Sequence, residues 1–600
     1  MAERPTRNQA PADQTWNLED IYRTAADWHE DAAGIEAAIQ ALAGYQGRLG
    51  QDAGNLLAGL QAQETLVVRM HRLHMYAYFS LAADGSSALN QAMSARVAAL
   101  EAQVEAACSA IKMEVAALPA GTLPAYCEQA PELDAFKPLF EAMERERAHL
   151  LLPQTEAALA SLQEALQLPN TIWGVATAVD MQCAPARDAG GNEFPVSIAG
   201  YVFGQAQSPD RTLRRTAFAS LAVGLRQHGT TLATALATHI NQNVAMARVR
   251  GYDSAMEMIL ARQRVPWEVY DMVLDVVHDA MAPHVLRLMR LRARLLGLEE
   301  LERYDMEAPL ATDAGQPVTF AESTGMACAA LRILGAEYES MLAAAFERGW
   351  IDRADNAGKR SGAFCWPVYG VHPYVFTTWR DTLRSAFTLA HELGHAGHYL
   401  RAQQNRPLST FSLHPMTLVL EGPSTANELL LHHYLLDTTT EPRLRRWIIV
   451  QSLPTFTHNM VTHLLEARFE RRLYQLAEAG KPLTLSTIME VQGEVFEQFY
   501  GGTVAVDDGA RLYWAQQPHF YMNLYPYSYA AGLSLGFAAV EAMRTEGQAA
   551  VDRWLEMMLC GSTRSGIELA AVAGVDMSSP RPLQQAAAYF GRLIDELEMS

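Results

Sequence analysis

Six hundred residues, half of them hydrophobic, can bury a large core, and a formal charge of −20 argues against a nucleic-acid-binding surface. A run of about 18 uninterrupted apolar residues would suggest a membrane span. The nearest approach, Pro526 to Met543, is interrupted by Ser528, Gly532, Ser534, Gly536 and Glu541, so no span is expected.

Met1 to Gln14 carry charges and prolines but no apolar stretch of a secretory signal, and the six cysteines show no C-x-x-C spacing. A cytoplasmic protein with reduced thiols is therefore expected. Frequent Ala and Leu with few β-branched runs predict a mostly helical chain. Residues 15 to about 190 read as a helical N-terminal region, entered through the aromatic anchor Trp16-Asn17-Leu18-Glu19-Asp20-Ile21-Tyr22. Between Leu66 and Leu118 apolar residues recur at helical spacing, broken at Asp84-Gly85-Ser86-Ser87, which predicts two antiparallel helices joined by a short turn. Glu141 to Leu166 repeats the helical signal, with His149 expected to be structural.

From Ala186 to Gln207 the pattern changes. Gly190-Gly191-Asn192 and Gly200 interrupt Val196, Ile198, Tyr201, Val202 and Phe203, which predicts a hairpin. Ser208-Pro209-Asp210 supplies a cap and an N1 proline for the next helix, which sets a boundary between residues 1–195 and 196–600. Amphipathic helices are expected to about Phe346, with Arg287, Arg290, Arg292 and Arg294 forming a solvated face. Gly362 to Trp379 is the clearest strand region. An edge strand there could hold an extended peptide through backbone hydrogen bonds, making Gly362, Ala363 and Phe364 candidate substrate-binding residues. His372 is a further candidate, or it fixes the turn before Pro373.

The strongest chemical signal is Thr388-Leu389-Ala390-His391-Glu392-Leu393-Gly394-His395-Ala396-Gly397-His398. On a helix, imidazoles four residues apart project from one face and can share a tetrahedral metal. Glu392, rotated by about 100°, is placed to act as a base on water instead. The alternative is a helix whose histidines pair with nearby carboxylates.

A third ligand is sought downstream, in Leu420-Glu421-Gly422-Pro423-Ser424-Thr425-Ala426-Asn427-Glu428. Pro423 suits a first helical turn, which sets Glu421 at the helix entrance and Glu428 two turns on, near the same face. Glu421 reads as the ligand, or as an acid favoured by the helix dipole. Glu428 reads as a carboxylate that orients a ligating histidine through its other ring nitrogen. His432 and His433 are adjacent on that helix, point apart, and read as structural.

These stretches resemble the thimet oligopeptidase and oligoendopeptidase F group of zinc metallopeptidases, and more closely its oligoendopeptidase F branch. Gly358-Lys359-Arg360-Ser361-Gly362-Ala363-Phe364-Cys365 is similar to the family segment upstream of the metal helix. Thr388 to His398 is similar to its T-L-A-H-E-L-G-H-A-x-H signature, and Glu421 to Glu428 to its E-x-x-S-T-x-N-E. His519-Phe520-Tyr521 with Tyr525, Tyr527 and Tyr529 is similar to its H-F-Y block and spaced tyrosines.

The resemblance implies a mainly α, elongated multi-helical metallopeptidase with a deep substrate cleft and a small β-sheet next to the H-E-x-x-H helix. It implies one Zn2+ on His391, His395 and Glu421, with Glu392 as general base. His519 and at least one of Tyr525, Tyr527 and Tyr529 are implied to contact the oxyanion or the substrate backbone. The expected activity is hydrolysis of internal bonds in oligopeptides, without nucleic-acid or membrane partners; the oligomeric state is left open. A zinc carboxypeptidase of related helical fold and a catalytically silent peptide-binding protein remain as alternatives.

Overall fold

The computed structural model describes residues 4–202, 204–310, 317–405 and 416–599. Helices dominate it, and the small sheets occupy only short segments. The N-terminal helix pair is Ala53–Ala83 and Ala88–Ala116, packed side by side and broken at the expected turn. Asp52 and Ser87 cap the two starts, their side chains accepting from Asn55 N and Asn90 N, and such caps typically contribute about 1 kcal/mol each. Trp28, Leu56, Leu60, Leu73, Val97 and Ile111 form the core of this region. His149 stacks on Tyr252 with ring centroids 3.5 Å apart and serves packing.

The expected hairpin is much reduced. Ala186–Arg187 pairs antiparallel with Glu193–Phe194 across the Gly190-Gly191 turn, but Ile198–Val202 is a short helix rather than a strand. Tyr201 is buried there, and Phe203 lies outside the described residues. The following helix, Arg211–Arg250, is capped by Asp210, which accepts from Thr212 N and Leu213 N. Pro209 therefore precedes the cap instead of occupying N1. The arginine face also needs correction at one position: Arg292 is buried and donates to Ala308 O, whereas Arg287 is paired with Asp595 and Glu598.

The large second core spans the rest of the chain around Tyr527–Glu546, which packs against Gly422–Thr438 and Arg581–Met599. The long apolar run at Pro526 to Met543 is thus explained by central burial, and no helix among the described residues is long and apolar enough to cross a membrane.

A three-stranded sheet has Tyr374–Phe376 at its centre, parallel to Ile351–Asp352 and antiparallel to Phe364–Trp366. The strand signal between Gly362 and Trp379 therefore resolves into two three-residue strands. Phe364–Trp366 is an edge, and it packs on the helix Leu383–Gln404 that carries the H-E-x-x-H motif. From behind, the sheet is tied to the N-terminal region by an aromatic cluster. Trp16 stands 4.8 Å from Phe79 and 5.4 Å from Phe376, ring to ring, and Phe364 stacks on Phe376 at 4.7 Å. Below this cluster the fully buried Asp352 accepts from Arg7 and from Lys359 Nζ at 2.6 Å. An unpaired carboxylate at that depth would be costly, so the two cations fasten both flanking segments to the sheet.

Candidate metal and catalytic site

The motif helix Leu383–Gln404 and the helix Gly422–Thr438 form the site by close approach. Gly394 makes this possible, since a Cβ there would overlap the Pro423 carbonyl oxygen and lie 2.6 Å from Ser424 Cα. Gly532 does the same on the other side, where a Cβ would fall 2.6 Å from Glu421 Cβ. Asn427 locks the pair, donating to Ala390 O at 3.1 Å and to Tyr338 OH at 3.0 Å, while Tyr338 OH donates to Leu393 O at 3.2 Å. Gly394→Ala is expected to separate the helices at a cost of at least about 1–3 kcal/mol. A lowered Tm together with weakened metal retention checks it.

His391, His395 and Glu421 are brought together as a group that could hold a metal ion. Glu421 Oε2 lies 3.4 Å from His391 Nε2 and 3.3 Å from His395 Nε2. Donors about 2.0–2.1 Å from one tetrahedral zinc stand about 3.3–3.4 Å from each other, so this donor set fits the ion. Charge fits too. Although burial opposes it, the facing His395 and His391 hold the Glu421 carboxyl well below the usual carboxylate range. Ser424 Oγ donates to Glu421 Oε2 at 2.9 Å, and Tyr525 OH donates to Glu421 Oε1 at 2.9 Å.

Glu428 meets the outer nitrogen of His391, with Oε1 2.8 Å from Nδ1. A carboxylate there fixes Nδ1 as the protonated nitrogen and frees the Nε2 lone pair for a metal. Its other oxygen accepts from Thr455 Oγ1 at 2.5 Å and from Arg384 at 3.3 Å. Glu392 is 5% exposed and its Oε2 has no partner among the described residues. Burial pushes its carboxyl up, with His391 and His395 pulling the other way. The buried thiol of Cys365, on the edge strand, feels the Glu392 charge directly.

The C-terminal residues separate into two sets. His519, Tyr525 and Tyr529 cluster together, with Tyr525 and Tyr529 ring centroids 5.4 Å apart and His519 5.7 Å from Tyr529. Burial and the nearby Glu421 raise both phenols far above 10, so both remain proton donors. Tyr527 belongs elsewhere: it is fully buried, and its OH donates to Gln263 Oε1 at 3.0 Å. Tyr527 and Tyr529 are two residues apart on the helix, about 200° of rotation, so the Tyr527 ring is turned into the core.

Behind His519 lies Glu466, 3.3 Å from His519 Nδ1 and 2.7 Å from His463 Nδ1. These three residues could also be read as a metal group. The 2.7 Å separation is that of a hydrogen bond rather than of two ligands on one ion. Burial opposes it, but His463 and His519 hold Glu466 far below the usual carboxylate range. A π-helical turn, His458–Thr462, precedes this helix, and His463 stacks on Tyr529 with centroids 3.8 Å apart.

At the free edge of the sheet, Gly362 is exposed at φ 96°, Ala363 and Phe364 are half-buried, and Trp366 is 42% exposed. His372 is turned away from the metal group. It stacks on Trp350 at 4.5 Å and meets Asp20 at 3.2 Å. That placement fits the turn-fixing alternative.

Sequence reasoning missed Glu466, Thr455 and Arg384. Thr455 and Arg384 carry no local signal. Glu466 carries one, because it occupies the apolar face of His463–Glu478 among Leu465, Phe469, Leu473 and Tyr474. An acid on such a face is rarely left there without a partner.

Fold and site together define a mainly helical peptidase. The profile of peptidase family M3 matches residues 205–589, and that of oligopeptidase F matches residues 114–182. Oligopeptidase PepF of Bacillus subtilis is 31% identical over 596 residues, covering 99% of this chain and 88% of that protein. The plasmid oligoendopeptidase F of Lactococcus lactis subsp. cremoris is 27% identical, covering 99% of this chain and 98% of that one. The crystal structure of oligoendopeptidase-F from Enterococcus faecium superposes with a TM-score of 0.78 at 26% identity, covering 96% of this chain and 99% of that chain. The chain belongs to peptidase family M3.

Proposed function

We propose that this peptidase is a zinc-dependent oligoendopeptidase that cuts internal bonds of short peptides, with Glu392 as its general base. The observation that carries the reading is the convergence of His391 Nε2, His395 Nε2 and Glu421 Oε2, next along the helix to Glu392, whose Oε2 has no partner among the described residues. His391, His395 and Glu421 would hold the zinc, which when bound lowers the pKa of water from about 15.7 toward about 7 and polarises a carbonyl. Glu392 takes the water proton at its free Oε2 and delivers it to the leaving amine nitrogen as the C–N bond breaks. Glu428 keeps the His391 proton on Nδ1. Tyr529 and His519 are the donors available to the oxygen on which negative charge develops, a contribution commonly of several kcal/mol, while the Tyr525 phenol supports the Glu421 carboxylate.

The edge strand Phe364–Trp366, preceded by Gly362 and Ala363, supplies backbone groups on one side of the cleft. Hydrogen bonds of that kind recognise an extended peptide without demanding particular side chains.

Peptides of increasing length, blocked at both ends, test this reading. Chelation is expected to abolish internal cleavage and added zinc to restore it, with products read by mass. Release of single residues from unblocked C-termini alone, or cleavage indifferent to chelation, would count against it.

A further inference from the structure

Tyr525 follows two non-glycine residues in the left-handed region, Asn523 at φ 58° and Leu524 at φ 54°. Such backbone persists only where its surroundings over-determine it. Three helices supply the constraint. From His463–Glu478, Glu470 Oε1 accepts from Leu524 N at 2.9 Å. From Ala255–Gln263, Gln263 Nε2 donates to Asn523 O at 2.8 Å. From Arg211–Arg250, Asn243 Nδ2 donates to Asn523 Oδ1 at 2.7 Å and to Tyr474 OH at 2.8 Å.

Glu470 is the unusual member. It is 1% exposed, and among the described residues its Oε2 has no partner, so the side chain's one hydrogen bond there is to this turn. Burial, with Glu466 adding to it and the Leu524 N–H opposing it, pushes the carboxyl up to about 8. Near neutral pH it therefore accepts the amide mainly as a neutral acid. A buried carboxyl kept for one backbone contact is poorly explained by packing, where an apolar side chain would serve better.

We propose that Glu470, with Gln263 and Asn243, is a positioning residue that holds the Asn523–Leu524 turn so that the Tyr525 phenol reaches Glu421 Oε1. The proposal rests on the reading of Tyr525 as part of the peptidase site. It also accounts for Tyr527, whose hydroxyl fixes the Gln263 amide and thereby acts on the turn. Glu466 and Glu470 lie one helical turn apart, so the same helix supports His519 through the first and Tyr525 through the second.

The test compares zinc-loaded Glu470→Gln, Glu470→Leu, Tyr525→Phe and the double variant Glu470→Leu/Tyr525→Phe on one end-blocked peptide, with metal content and Tm measured alongside. Glu470→Gln keeps an acceptor and is expected to stay within about twofold of wild-type kcat, whereas Glu470→Leu should lose about 10–100-fold in kcat with KM changed less than about threefold. The double variant should be no slower than Tyr525→Phe, because both changes disable one group. Multiplying losses in the double variant, or an unimpaired Glu470→Leu beside an impaired Tyr525→Phe, overturns the proposal alone. An unimpaired Tyr525→Phe overturns the reading of Tyr525 and the proposal with it. Gln263→Met removes the contact to Asn523 O from a different helix and is expected to lower kcat likewise. It stands in if Glu470→Leu does not fold, and an unchanged kcat in it also overturns the proposal.

Discussion

Glu392→Gln is expected to lower kcat by about 10²–10⁴-fold, the usual contribution of a positioned general base. The substitution preserves shape and removes only the ability to take a proton. Zinc content and Tm should stay close to wild type, because Glu392 is not one of the three grouped donors and its Oε2 has no partner among the described residues. Stopped assays on an end-blocked peptide, with zinc quantified in the same preparation, check this. Retained turnover with full zinc would remove Glu392 from the chemistry and require another base.

Glu421→Gln should act on the metal first. The carboxylate is the sole anionic member of the group, and both imidazoles face its Oε2. An amide in its place offers a neutral oxygen, and the hydrogen bonds from Ser424 and Tyr525 no longer support a charge. Zinc affinity, read by competition with a chromogenic chelator, is expected to fall by more than about 100-fold, beyond the 10–100-fold typical of losing an outer-shell partner. Activity should return in part at high zinc. The two substitutions thus separate along different axes. Glu392→Gln leaves a loaded, slow protein, and Glu421→Gln an empty one.

Much of this architecture was legible in the sequence where a short-range rule governed it. The break at Asp84 to Ser87 lies between two capped helices, since turn residues and caps act within a few positions. The four-residue spacing of His391 and His395 places both rings on one face by helix geometry alone, and Pro423 marked the start of the helix behind Glu421. What remained hidden depends on distant partners. Ile198 and Tyr201 have strand propensity, but a short helix buries Tyr201 against Phe218. Tyr527 lies among tyrosines whose rings gather near Glu421, and only the path of the chain through Asn523, Leu524 and Pro526 decides that it faces Gln263. Thr455 reaches Glu428 across 27 positions, a contact no local pattern encodes.

The aromatic cluster around Trp16 and Phe376 has a mechanical consequence. The sheet that carries the edge strand Phe364–Trp366 meets rings of the N-terminal region on one side, while the helices Leu383–Gln404 and Gly422–Thr438 are rooted in the other, larger core. The sheet therefore joins the two cores, with Phe364 and Phe376 packed toward the N-terminal rings and Cys365 and Val375 toward the metal-motif helix. Loosening of the N-terminal core would thus reach the motif helix through this sheet, which couples the far end of the chain to His391 and His395.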